Sequence, residues 1–224
     1  MRNIRLYCIN ACYPFSWRRI NSIAETMLIG MSIHHRLYPL EINYLVESVL
    51  AKKYHYSLHL TQEPLPTSEA VSMMDSEGHK KIAMYEGHYM LALNGNPRHR
   101  FTLAHEVGHF ILGHMFGKIE EKSVRKAREN IPVSMNPEWQ ANTIAGALLA
   151  PYSWLKYLTR YYRRKMKILD VCRHYALSIP SAKMRLMQIH TQLDTSIWDE
   201  KEVKTYFTWR AANKKSPALQ RTGL

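Results

Sequence analysis

The sequence is poor in cysteine: it holds three, Cys8, Cys12 and Cys172, with no C-x-x-C pair among its 224 residues. That excludes a disulfide-built scaffold and suits a reducing compartment. Long apolar runs are missing as well. The longest uncharged stretch near the middle, Trp139 to Leu155, is broken by Gln140, Asn142, Thr143 and Pro151, short of the ~20 apolar residues a spanning helix needs. After Arg2 and Arg5 the N-terminal stretch is interrupted by Asn10, Pro14, Ser16, Arg18 and Arg19, so no signal-peptide core forms. The expectation is a cytoplasmic chain with no membrane contact. Repeats and low-complexity blocks are absent too.

Acidic residues are also scarce, 18 against 31 Lys+Arg, for a net charge of +13. The surplus is uneven: residues 1–150 carry +3 and residues 151–224 carry +10. Such asymmetry points to a near-neutral module joined to a basic one. With 46% hydrophobic and 22% charged residues, the chain can bury a core, and collagen-like, fibrous and disordered classes are excluded.

Residues 1–38 show neither helical periodicity nor strand alternation and read as an N-terminal extension. From Glu41, the apolar residues Ile42, Leu45, Val46, Val49 and Leu50 mark one face of a helix. Lys81–Tyr85 and His88–Leu93, separated by Glu86-Gly87, read as a short hairpin. Pro97 can open a helix carrying Phe101, Leu103, Val107, Phe110 and Ile111. Lys118–Asn130 reads as an exposed helix or connector. Asn136-Pro137 has the chemistry of a helix start, with Glu138 in the first turn, and this second buried helix should run to Pro151. Helices are expected near 154–164, 167–175 and 180–189, and no pattern marks the tail from Asp194.

The residues that carry chemistry are His105-Glu106-Val107-Gly108-His109. On a helix, residues four apart differ by about 40° in direction, so both imidazoles can face one ion while Glu106 reaches a water beside it. A hydrolytic zinc site needs a third protein ligand and an open position. The metzincin pattern would place Gly at 112 and His at 115, where Leu112 and Met115 stand. His114 is one residue off, about 140° around a continuing helix, and reads as a surface histidine or a support behind a ligand. The other solution is a carboxylate on a following helix, which Glu138 offers, with Asn142 four residues later to hydrogen-bond a ligand imidazole from behind.

The runs Arg100–His109, Glu138-Trp139-Gln140-Ala141-Asn142, Ala145–Pro151 and Ala176–Ala182 with Arg185-Leu186 resemble the ImmA/IrrE family of zinc metallo-endopeptidases, over about residues 40–190. Ile144 stands where the family usually has an aromatic residue and Ala150 where it usually has Met; both are apolar packing positions. The resemblance implies one Zn²⁺ per chain bound by His105, His109 and Glu138, with Glu106 as general base. It also implies a mainly helical α+β fold, a zincin-like minimal peptidase domain with a small β-sheet followed by a helix-turn-helix-like segment. The expected division is 1–38 extension, 39–151 peptidase domain, 152–190 basic helix-turn-helix-like segment and 191–224 tail. The implied substrate is a helix-turn-helix transcriptional repressor. Tyr89, Tyr152 and His174 are candidates for a second donor to the developing oxyanion.

In the back end, Arg160, Arg163, Arg164, Lys165 and Lys167 are interleaved with Tyr157, Tyr161 and Tyr162, a mixture able to hold phosphates and stack bases. The alternatives are docking on DNA, docking on the repressor, or a solvated helix face. A reading of a different class stands beside the peptidase: a DNA-binding or antitoxin-like regulator whose zinc site is vestigial or structural.

Overall fold

The computed structural model describes residues 6–8, 13–29, 31, 39–54, 56–66, 68–74, 79–114, 116–118 and 131–212. The elements in chain order are β1 (Leu6–Cys8), α1 (Trp17–Ile29), α2 (Ile42–Tyr44), α3 (Ala51–Tyr54), β2 (Tyr56–Thr61), β3 (Ala70–Met74), β4 (Lys80–Tyr85), α4 (Glu86–Leu93), α5 (Pro97–Ile111), β5 (Phe116–Lys118), α6 (Pro137–Leu149), α7 (Tyr152–Tyr161), α8 (Ile168–Tyr175), α9 (Ile179–Gln192) and α10 (Glu200–Ala212). The fold is α+β and mainly helical. β2 and β3 flank β4, the first parallel and the second antiparallel to it, and β1 pairs with β5.

The hairpin expected over 81–93 does not form. β4 already has a partner on each edge, and Glu86–Leu93 is a helix that buries Tyr89 and Ala92, three residues apart, while Met90, Leu91 and Leu93 stay exposed. A short apolar run does not by itself separate strand from helix. Most of 118–130 lies outside the described residues. The helix expected from Glu41 forms, but Leu45–Leu50 between α2 and α3 is π-helical. The wider turn buries Leu45 and Leu50, five residues apart, and leaves Val49 only partly covered.

Two regions read as patternless are helical. In α1, Ile20, Ala24, Met27 and Leu28 enter the core, and Trp17 meets the Trp139 ring edge-on at 4.8 Å. Asp199 caps α10, accepting from the amides of Lys201 and Glu202.

α6 is the buried axis of the molecule, with Ile144, Ala145, Leu148 and Leu149 wholly enclosed. It packs on α5 through Gly108, where an added Cβ would lie 2.6 Å from Ile144 Cγ2 and 3.0 Å from the Ala141 carbonyl oxygen. At the far end, the buried Arg185 of α9 donates to the Ala150 carbonyl at 2.8 Å and to Asn21 of α1 at 2.7 Å, tying three helices together.

Gly108→Ala is expected to push α5 and α6 apart and cost about 1–3 kcal/mol, seen as a fall in thermal midpoint; an unchanged midpoint would contradict the tight contact. A second expectation concerns acid. Asp194 accepts from the Ser196 hydroxyl and amide and from Tyr152, and these bonds, with Lys156 nearby, hold its pKa down to about 2. A depressed carboxylate stabilises the fold above its unfolded pKa of about 3.9, and that contribution disappears as pH falls towards 2. Asp194→Asn should therefore lower the midpoint at neutral pH, with the gap from wild type closing through this window.

Candidate metal centre

Two helix starts built from the same chemistry aim the site. Asn96 accepts from the amides of Arg98 and His99 with Pro97 in the first turn of α5, and Asn136 accepts from those of Glu138 and Trp139 with Pro137 in the first turn of α6. Each side chain satisfies amides that a helix start leaves unpaired, and the proline gives up no needed donor. The second cap fixes Glu138 in the first turn of α6, across from His105 and His109 on α5.

The Nε2 atoms of His105 and His109 lie 3.0 Å apart. Glu138 Oε2 is 3.4 Å from the first, and Oε1 is 3.8 Å from the second. One ligand atom from each of the three residues falls within 4.8 Å of the others. Two imidazole nitrogens and one carboxylate, converging from two helices, make a donor set suited to Zn²⁺ with a coordination position left over. Glu138 is 35% exposed on its side chain, so the cluster opens to solvent on that side.

Behind the cluster stand residues that hold it. Asn142 Oδ1 is 2.9 Å from His105 Nδ1. His114 does not sit on a continuing helix: α5 ends at Ile111, and Gly113, with φ of +67°, turns the chain back. The buried His114 ring comes to rest with Nδ1 2.9 Å from His109 Nδ1 and Nε2 2.9 Å from Gln140 Oε1. Of the two alternatives read from sequence, the structure takes the supporting one.

Glu106, next to His105, turns towards the sheet. Ser72 on β3 donates its amide at 2.7 Å and its hydroxyl at 2.6 Å to Glu106 Oε2. Oε1 accepts no hydrogen bond among the described residues. Burial pushes the Glu106 pKa up, only partly offset by His105 and the Ser72 bonds. At His105 burial disfavours the charged ring, but the carboxylates of Glu138 and Glu106 outweigh it and raise its pKa. Perturbed groups of opposite type side by side are common where chemistry is done. Sequence reasoning missed Ser72 and Gln140, because their roles arise across 34 and 26 residues of chain.

The other candidates are occupied elsewhere. Tyr89 donates to Glu47, Tyr152 to Asp194, and His174 packs beside Tyr162 and Tyr175. Of the basic residues, Arg164 forms a two-pronged pair with Asp170 and Lys165 pairs with Glu200. Arg160, Arg163 and Lys167 are exposed and form no ion pair among the described residues.

Fold and site together define a class: a small mainly helical domain whose helix-borne H-E-x-x-H meets a carboxylate from the next buried helix. The chain belongs to the Peptidase M78 family, the IrrE N-terminal-like domain, whose model matches residues 67–187. Among solved structures it is similar to a Mycobacterium tuberculosis transcriptional regulator, with a TM-score of 0.51 and 15% sequence identity over 79% of this chain and 48% of that chain. The likeness is one of fold, and this chain spans about half the length of the regulator. No curated protein matches the sequence.

Asn142→Leu, which removes the acceptor behind His105, is expected to weaken Zn²⁺ binding roughly 10–100-fold, measured by competition with a coloured chelator. Affinity equal to wild type would show that His105 needs no such support.

Proposed function

We propose that the chain is a zinc-dependent endopeptidase, holding one Zn²⁺ through His105, His109 and Glu138 and hydrolysing a peptide bond in a protein substrate with Glu106 as general base. The observation that carries this reading is the convergence of those three ligand atoms beside the half-buried Glu106 carboxylate, one oxygen of which Ser72 holds. A purely structural zinc site has no use for an acid at that position.

Zinc bound there supplies Lewis acidity to a substrate carbonyl. The rest falls to the chain's own residues. Glu106 accepts the proton of the attacking water and returns it to the departing nitrogen. Ser72 keeps one carboxylate oxygen occupied and leaves the other for the water. Asn142 orients His105. The substrate we assign is a helix-turn-helix transcriptional repressor, cut to relieve repression. Membership in the family and the fold likeness to a transcriptional regulator support a role in gene control. We place the reaction in the cytoplasm, a reducing compartment that suits a chain with three cysteines and no C-x-x-C pair.

A second reading is favoured by one observation, the exposure of Arg160, Arg163 and Lys167 among tyrosines of which Tyr157 and Tyr161 are more than half exposed. Under it the protein is a DNA-binding regulator with a vestigial metal site, and its DNA contact runs through this face.

Glu106→Gln is expected to retain zinc while losing at least ~100-fold in cleavage of the repressor encoded beside it. Full cleavage by this variant would sink the mechanism. The regulator reading instead expects salt-sensitive DNA binding that is lost on charge reversal at Arg160 and Arg163 and is indifferent to Glu106.

A further inference from the structure

Gln140 is wholly buried, and its amide has no freedom of orientation. The Nε2 end lies 2.8 Å from the Tyr13 carbonyl oxygen and 2.6 Å from that of Ser134, both of which can only accept. The NH₂ group therefore faces the two carbonyls, and Oε1 faces His114 Nε2 at 2.9 Å. An amide oxygen cannot donate, so the hydrogen in that contact belongs to His114 Nε2.

The consequence passes through two rings. A neutral imidazole protonated at Nε2 has a bare Nδ1. His114 Nδ1 is 2.9 Å from His109 Nδ1, so the hydrogen between them sits on His109. That leaves the His109 Nε2 lone pair bare, on the side where His105 Nε2 and Glu138 Oε1 converge.

We propose that Gln140 and His114 are positioning residues that lock His109 in the one tautomer able to ligate the ion, with the reference for the lock set by the backbone at Tyr13 and Ser134. The proposal rests on the metal-binding half of the reading above, not on peptide cleavage. The side chains of the relay, Gln140, His114 and His109, are buried, whereas the partner of His105, Asn142, is exposed. The two ligand imidazoles are thus held by different means, one at the surface and one from within. Because the Phe15 amide also donates to the Ser134 carbonyl at 3.0 Å, the segment ahead of α1 is built into the support of the metal centre.

The test uses the full chain. Nitrogen-15 histidine spectra of the zinc-free protein are expected to show His109 protonated at Nδ1 and His114 at Nε2. Gln140→Met and His114→Phe keep bulk and remove the relay. Each should lower Zn²⁺ affinity about 10–100-fold, and the double variant should be no worse than the weaker single one, because both break one chain of bonds. A wild-type His109 protonated at Nε2, or folded variants within about 2-fold of wild-type affinity, would overturn the proposal. If the variants fail to fold, the wild-type spectrum decides alone. A wild type that binds zinc with the expected tautomers yet cuts no protein overturns the peptidase reading and leaves this one intact.

Discussion

The close approach of α5 and α6 at Gly108 is the constraint on which the site depends. The helices meet where a hydrogen replaces a side chain: a Cβ there would press on Ile144 and on the backbone of Ala141. Helices packed through ordinary side chains sit about 8–10 Å apart. A glutamate in the first turn of one must then meet two imidazoles on the other at the distances seen here. Gly108, directly before His109, therefore sets the spacing of the His105, His109 and Glu138 cluster although it offers no side chain to it. α6 is fixed along its length by α1 on its flank and by Arg185 at its C-terminal end, so Glu138 has little room to swing.

Glu106 and His105 are half-buried in this contact, and burial of a charge is costly unless it is paired. Glu106 is compensated by the Ser72 amide and hydroxyl and by the neighbouring His105, and His105 by Glu138. The compensation is incomplete, as the upward shift of Glu106 shows. The edge strand β3 thus contributes something the helices cannot: two donors on Ser72 that hold one oxygen of the Glu106 carboxylate in place.

What was legible in the sequence was local. The Asn-Pro starts of α5 and α6, the i, i+4 histidines and the stop at Pro151 each lie within a few residues of chain, and each stands where the spacing predicts. Glu138 was legible because a carboxylate in the first turn of an apolar helix is itself a local signal. Most of the rest depended on contacts distant in the chain. His88–Leu93 resembles a strand until β4 is known to have both edges filled. Which of its two readings His114 takes depends on Gly113, whose left-handed turn ends the helix and brings the ring behind His109. Ser72, Gln140 and the Tyr13 carbonyl acquire their roles across 34, 26 and 127 residues of chain, which no spacing rule reaches. The apolar spacing of Ile20, Ala24, Met27 and Leu28 was present all along, but the polar and basic residues around it obscured the face.

The basic back end illustrates why the placement of charge matters more than its sum. Residues 151–224 carry a surplus of +10, yet Arg164 and Lys165 spend their charge on Asp170 and Glu200, pinning the turn after α7 to α8 and α10. Arg185 is an internal brace. α9, which would be the reading helix of a helix-turn-helix, buries Ala182, Arg185, Leu186, Met187, Gln188 and Ile189, a face it cannot also present to a groove. Among the described residues, exposed cations that form no ion pair stand on the surface of α7 and its following turn, Arg160 and Arg163, with Lys167 beyond. They stand beside Tyr157 and Tyr161, whose rings lie nearly parallel with centroids 6.1 Å apart. Whatever meets this face meets a side of α7, and the helix-turn-helix-like pair serves the core that holds α6, and through α6 Glu138, in place.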